Sequence, residues 1–244
     1  MNDDSDTTYR TIGGGFQFSA ISADDMGASE YTLVALAADK SSSVTKFADQ
    51  IEGCLETSLK GCMDSPRVDN LLVRLLTFNS RLDEVHGYKH LADCPISNYK
   101  GIIKPNGCTS LFDACISSID SLATLGQQMI KDKYTANGLS VIITDGMDVG
   151  STNSLKAVEE AIARSRRSEC LESILNILIG INVQDREVSD ALNTLKNGAG
   201  FDQYIEAKDA SPKTFARIAG FISKSISSQS QAIQTGKASM LITF

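Results

Sequence analysis

From Phe16 onward the chain alternates short apolar runs with stretches in which apolar residues recur every three or four positions. Phe16 to Ile21 alternates apolar and polar, as a half-buried strand does, and Tyr31 to Ala38 is a near-continuous apolar run suited to a strand buried on both faces. After Asp39 and its serines, Val44, Phe47, Ala48, Ile51, Leu55 and Leu59 mark one face of an amphipathic helix. Asn70 to Phe78 predicts a second buried strand, and Glu84 to Gly87 a short third. Residues 88–107, with Pro95, Pro105 and Gly107, read as an irregular connection. The helical period returns from Ser110 through Leu111, Ala114, Cys115, Ile119, Leu122 and Leu125. A strand at Leu139–Thr144, a helix near 154–168, a strand at Ile174–Ile181, a helix around 187–197, a short strand at Phe201–Ile205 and a helix from Pro212 to about Ser227 complete the pattern. Ser211 is its expected N-cap, with proline at the first helical position.

Apolar strands alternating with amphipathic helices predict an α/β fold: a doubly wound, mostly parallel central sheet flanked by helices. The expected organisation is a flexible lead over residues 1–15 ending in Gly13-Gly14-Gly15, a single domain over 16–226, and a tail over 227–244. The tail divides into a polar linker and a short apolar end, Met240–Phe244, with strand character. That end either pairs with Phe16–Ile21 of its own domain or adds a strand to a neighbouring copy, giving a homo-oligomer.

With 244 residues, 42% of them hydrophobic and 22% charged, the chain can bury a full core. A net charge of −7 argues against a general nucleic-acid binder. The one basic cluster, Arg164-Ser-Arg166-Arg167, reads as a solvated helix face. No run of about 18 apolar residues is present to span a membrane. The acidic start lacks the order of a secretory signal, so a cytoplasmic location with six reduced cysteines is expected. His86, His90 and Cys94 fall at spacings of four, which would suit zinc on a helix. Pattern reading does not make that segment helical, and a fourth ligand is missing.

Candidate chemistry gathers where ligands bind in such folds, at the carboxyl ends of the strands. Asp39-Lys-Ser-Ser-Ser43 follows the first buried strand, Thr144-Asp-Gly146 follows another, and Asn106-Gly-Cys-Thr-Ser110 leads into a helix. Carboxylates and hydroxyls without clustered histidine or thiolate favour magnesium or manganese. Ser41 or Ser43 alone would also suit a helix cap, and Asp145 before Gly146 a turn.

The three pieces, Asp39-x-Ser41-x-Ser43, Thr109 in a Gly-x-Thr loop and Thr144-Asp145-Gly146, occur in the order of the von Willebrand factor type A domain. They resemble its metal-ion-dependent adhesion site, in the stand-alone bacterial or viral type. The resemblance covers residues 31 to about 226. It implies that Ser41 and Ser43 bind the metal directly, Thr109 directly or through water, and Asp39 and Asp145 mainly through water. It further implies that the remaining coordination position takes an Asp or Glu of a partner protein. Two departures stand out: Ser42 where glycine is common, and Lys40, a cation expected to point to solvent. The resemblance implies a non-enzymatic adaptor. The competing classes are a metal-dependent phosphoryl-transfer hydrolase and a scaffold that self-assembles through its tail. Against the hydrolase, Ser41 holds the place of the second aspartate of a haloacid-dehalogenase-like pattern, and no phosphate-binding Gly-x-x-x-x-Gly-Lys loop is present.

Overall fold

The structure, a computed structural model, describes residues 7–12, 15–22, 25–236 and 239–244. Its centre is an eight-stranded sheet in the order β1-β2-β5-β4-β3-β6-β7-β8. The strands are β1 (Thr7–Thr11), β2 (Gln17–Ile21), β3 (Glu30–Asp39), β4 (Leu71–Phe78), β5 (Leu82–His90), β6 (Thr135–Thr144), β7 (Ser173–Gly180) and β8 (Gln203–Glu206). The helices are α1 (Ala48–Met63), α2 (Leu111–Lys131), α3 (Leu155–Arg167), α4 (Arg186–Ala199) and α5 (Pro212–Thr235). β3, β4, β6, β7 and β8 run parallel, and β5 is antiparallel to β4.

The alternation of side chains along the parallel strands builds two cores. Val34, Leu36, Leu139, Val141, Ile177 and Ile179 pack under α1 and α5. Ala37, Ile142 and Leu178 face α2, α3 and α4 on the other side. Both faces are covered, so the fold is the predicted doubly wound α/β sheet. The chain leaves β3 to build β4 on one side and later returns to build β6 on the other. The ends of β3 and β6 therefore meet where the winding reverses, the crevice in which such sheets place ligands.

Several elements depart from the sequence reading. β5 is nine residues long rather than four, because its charged residues pair inside the sheet instead of facing solvent: Glu84 accepts from Arg74 Nε at 2.7 Å and from Ser19 at 2.6 and 3.0 Å. β1 occupies part of the stretch read as a lead and pairs antiparallel with β2; Gly13 and Gly14 lie outside the described residues. The stretch from 227, read as linker, is helical through Thr235. Its packing is polar: Gln229 accepts from Asn137 and Ser173 at 3.0 and 3.1 Å, and Ser230 accepts from Arg67 at 3.0 Å.

Met240–Phe244 is not a strand and does not pair with β2. It folds back across the β8 side, where Gln203 Nε2 donates to the Ile242 carbonyl at 2.9 Å. Phe244 meets Phe221 edge-on at 5.8 Å and lies 4.4 Å beneath the Arg217 guanidinium. Side-chain anchors replace a backbone ladder there. No helix among the described residues is long and apolar enough to cross a membrane. Within the basic cluster, Arg164 pairs with Asp120 and Arg166 with Asp202, at 3.1 and 2.8 Å.

Gly87 is where β2 and β5 touch. A Cβ there would sit 2.1 Å from the Ser19 carbonyl oxygen, which is backbone and cannot swing away. Gly87→Ala is therefore expected to lever β2 off the sheet and break the edge contact of Phe18 with Tyr88. The expected cost is about 3 kcal/mol in a urea titration, the upper end for overpacking. An unchanged midpoint would refute the close approach.

All six cysteines are free, and Cys108 alone is exposed. Burial pushes the Cys54 and Cys94 thiols up to about 12, leaving almost no thiolate near neutral pH. A thiol reagent should label Cys108 in the native protein and all six only after unfolding, read by mass. Rapid native labelling of Cys54 or Cys115 would contradict this packing.

Candidate functional site

Asp39 ends β3 fully buried. One carboxylate oxygen accepts the Ser41 backbone N–H at 2.7 Å and the other accepts the Thr144 hydroxyl at 2.6 Å, so the ends of β3 and β6 are tied through it. The chain then turns into a short 3-10 segment, Ser42–Lys46. Ser41 precedes that segment, yet its side chain makes no capping hydrogen bond. Its hydroxyl instead faces the Ser43 hydroxyl at 3.0 Å, and Ser43 donates to Asp145 Oδ1 at 2.6 Å. Ser41, Ser43 and Asp145 thus form a connected row of oxygens with Asp39 behind it.

Thr109 reaches the same place from the other side. Its carbonyl accepts the N–H groups of Val149 and Gly150 at 2.9 and 3.0 Å, which pins the loop before α2 to the loop after β6. Its hydroxyl lies 3.9 Å from where a Cβ on Gly146 would stand, beside the Thr144-Asp145-Gly146 turn. The five predicted residues therefore lie at the end of β3 or on loops held together at the reversal point of the sheet.

The loops are tied to one another, in part by Asn79, Ser80 and Asp148, which pattern reading passed over. Asn106 N donates to the Lys40 carbonyl at 3.0 Å and Ser42 N to the Gly107 carbonyl at 3.1 Å. Asn79 accepts from Ser110 N at 2.8 Å through its carbonyl, and Ser80 Oγ accepts from Cys108 N at 2.9 Å. Gly107 has φ +73°, which favours glycine, and a Cβ there would also crowd Ser80 Oγ at 2.7 Å. Asp148 accepts the Phe112 N–H at 3.1 Å, an orphan donor in the first turn of α2. The signal for Asn79 and Ser80 was their position directly after a buried strand.

Both departures from the family pattern resolve. Ser42 has a negative φ, so serine fits without strain. Lys40 does not point to solvent: it is nearly buried and pairs with Asp83. That leaves Asp39 and Asp145 without an ion pair among the described residues. Burial raises the Asp39 pKa against the hydrogen bonds from Thr144 and Ser41. Burial, with the neighbouring Asp39 charge as a lesser cause, lifts Asp145 to about 6 against the Ser43 hydrogen bond.

The donor set suits a hard divalent cation: two carboxylates with raised pKa values, two hydroxyls facing one another, and a third hydroxyl, on Thr109, with no hydrogen-bond partner among the described residues. Among these residues no group of three or more His, Cys, Asp or Glu side chains converges on a possible metal position. A centre here would accordingly depend on the hydroxyls. His86, His90 and Cys94 do not converge. They lie on and beyond a strand, where residues four apart stand about 13 Å from each other. His86 instead donates Nδ1–H to the Gly87 carbonyl at 2.9 Å and accepts from the Tyr99 hydroxyl at 2.6 Å, and burial lowers its pKa to about 4.

No family model and no curated protein matches the sequence. The fold is shared with solved structures. A mutant of the PilB minor pilin from Streptococcus sanguinis aligns at TM-score 0.55 and 15% identity, over 86% of this chain and 65% of that one. The pilus adhesin SpaC from Lactobacillus rhamnosus GG aligns at 0.59 and 11%, over 91% and 35%. Proximal thread matrix protein 1 from the mussel byssus, described with a zinc-occupied MIDAS motif, aligns at 0.55 and 17%, over 80% and 46%. The chain thus spans less than two thirds of each of these proteins, and its fold is of the von Willebrand factor type A kind.

Proposed function

We propose that this chain is a protein–protein interaction module, with no enzymatic activity of its own, that grips an Asp or Glu of a partner through magnesium or manganese. Asp39, Ser41, Ser43, Thr109 and Asp145 would hold the ion. The observation that carries this reading is the row Ser41–Ser43–Asp145 at the reversal point of the sheet, backed by the buried Asp39 carboxylate, with neither aspartate in an ion pair among the described residues. Bound there, the ion would supply Lewis-acid attraction for a partner carboxylate. Asp39 fixes the Ser41 backbone, Ser43 links its loop to the Asp145 turn, and both aspartates balance the ion's charge. The mussel protein, whose MIDAS motif is described as zinc-occupied, supports a divalent ion on this fold.

A phosphoryl-transfer reading has less support. Ser41 holds the place where a second carboxylate would be needed, and His86 is committed to Tyr99 and Gly87. Self-assembly through the tail has fewer apolar anchors, because Ile242 and Phe244 pack on the chain's own core, leaving Met240 and Leu241 exposed. Six free thiols suit a reducing compartment such as the cytoplasm.

The test is capture on the immobilised protein. Partners should be retained in magnesium, released by chelator and absent from an Asp145→Ala column. The same proteins held on both columns with chelator present would sink the reading.

A further inference from the structure

Next to the candidate centre lies a cleft of about 430 Å³ lined by Lys40, Asn79, Ser80, Arg81, Ile102, Lys104 and Asn106. It is continuous with the metal loops. Lys40 stands between Asp39 and Ser41, and the Asn106 N–H bonds to its carbonyl. Three cationic side chains meet there on a chain whose net charge is −7. No carboxylate lines the cleft. Asp83, beside it, is shared by Lys40 and by Arg81, the latter at 3.2 Å. Lys104 has no ion pair among the described residues, so the cleft carries excess positive charge.

Resting on the metal-mediated reading, we infer that this cleft is a second recognition subsite, taking acidic side chains of the partner polypeptide that flank its metal-binding carboxylate. Its side-chain cations suit carboxylates. Of the backbone N–H groups that line the cleft, those of Lys40, Asn79, Arg81 and Asn106 are spent inside the loops, at 2.8 to 3.2 Å, so among the described residues no run of successive free N–H groups is left as a phosphate nest. What faces the cleft is side-chain cation and amide, with Arg81 largely exposed and able to reach outward. A local positive field on an acidic protein also steers the partner: the body repels an acidic segment while the cleft attracts it, which orients the encounter toward the metal.

Two labelled, acetylated hexapeptides test this by fluorescence anisotropy in magnesium: Gly-Asp-Gly-Ser-Gly-Ser and Gly-Asp-Gly-Glu-Gly-Glu. The acidic peptide should bind the wild-type chain about ten times more tightly, as two added surface charge pairs would give. Arg81→Gln with Lys104→Gln should erase that preference while the chain still binds magnesium by calorimetry, since neither residue belongs to the metal set. Equal binding of the two peptides, no binding of either, or a preference that survives in the double variant would overturn the subsite. So would a single-stranded oligonucleotide that displaces the acidic peptide at lower concentration than the unlabelled peptide does. A preference lost in the double variant but indifferent to chelator would keep the subsite and reject the metal.

Discussion

Arg74→Ala should cost about 3 kcal/mol and lower the melting temperature by about 6–12 °C. Arg74 is buried in the middle of β4, with apolar residues on either side of it in sequence. Its Nε donates to Glu84 on β5, and its guanidinium reaches the Ser117 carbonyl at 3.2 Å and the Ser121 hydroxyl at 3.3 Å on α2. It also stands 5.7 Å from the Phe18 ring on β2. One side chain thus joins three strands and a helix. Truncation strands the Glu84 carboxylate, which is mostly buried and already holds Ser19, and opens a cavity beneath α2. The pair itself need not be strongly stabilising, because desolvating two charges offsets their attraction; the cost comes from removing one partner alone. Arg74→Met combined with Glu84→Gln should accordingly recover most of the loss. A single variant within about 1 kcal/mol of wild type by chemical denaturation would show that the network is dispensable.

Asp145→Asn should move stability and metal affinity in opposite directions. In the metal-free protein the Asp145 pKa is raised to about 6. A carboxyl whose folded pKa lies above its unfolded value stabilises the fold fully below the unfolded value, near 4, and loses that contribution as pH rises through about 6. At neutral pH the charged form is therefore a burden on the apo fold. The neutral amide should raise the apo melting temperature by about 2–4 °C, after allowance for the partial exposure of the group. The same linkage makes metal binding release a proton, so wild-type affinity should fall about tenfold for each pH unit below about 6. Melting scans with and without magnesium between pH 5 and about pH 8 read both effects. A lower apo melting temperature in Asp145→Asn, or a flat pH profile of affinity, would contradict this electrostatic account.

The buried strands and the oxygen-bearing loops were legible because both signals are local. Tyr31–Ala38 is apolar throughout, and Asp39, Ser41 and Ser43 follow it directly. What escaped was whatever gains stability from polar contacts distant in sequence. β5 carries Asp83, Glu84 and Lys89, and only the Arg74 and Ser19 partners explain why Glu84 belongs in a sheet. The last turns of α5 hide behind Gln229 and Ser230, buried through hydrogen bonds that no hydrophobic period reveals. Met240–Phe244 has strand composition, yet its anchors are an aromatic pair, a cation over a ring and one side-chain amide. Within the site, the five candidate residues could be named from their order, whereas the hydrogen bonds of Asn79, Ser80 and Asp148 that position the loops required the tertiary arrangement.

The most direct measurement is a calorimetric titration of magnesium and of manganese into the wild-type chain and Asp39→Asn at about pH 7.5, above the raised Asp145 value, with circular dichroism as the folding control. The amide still accepts the Ser41 N–H, so the loop survives while one anionic charge is lost. The account predicts one ion per wild-type chain and affinity at least about 100-fold weaker in Asp39→Asn at unchanged helix content, a loss of about 2.7 kcal/mol. Equal binding by the two proteins, or no binding by the wild type at millimolar metal, would contradict it.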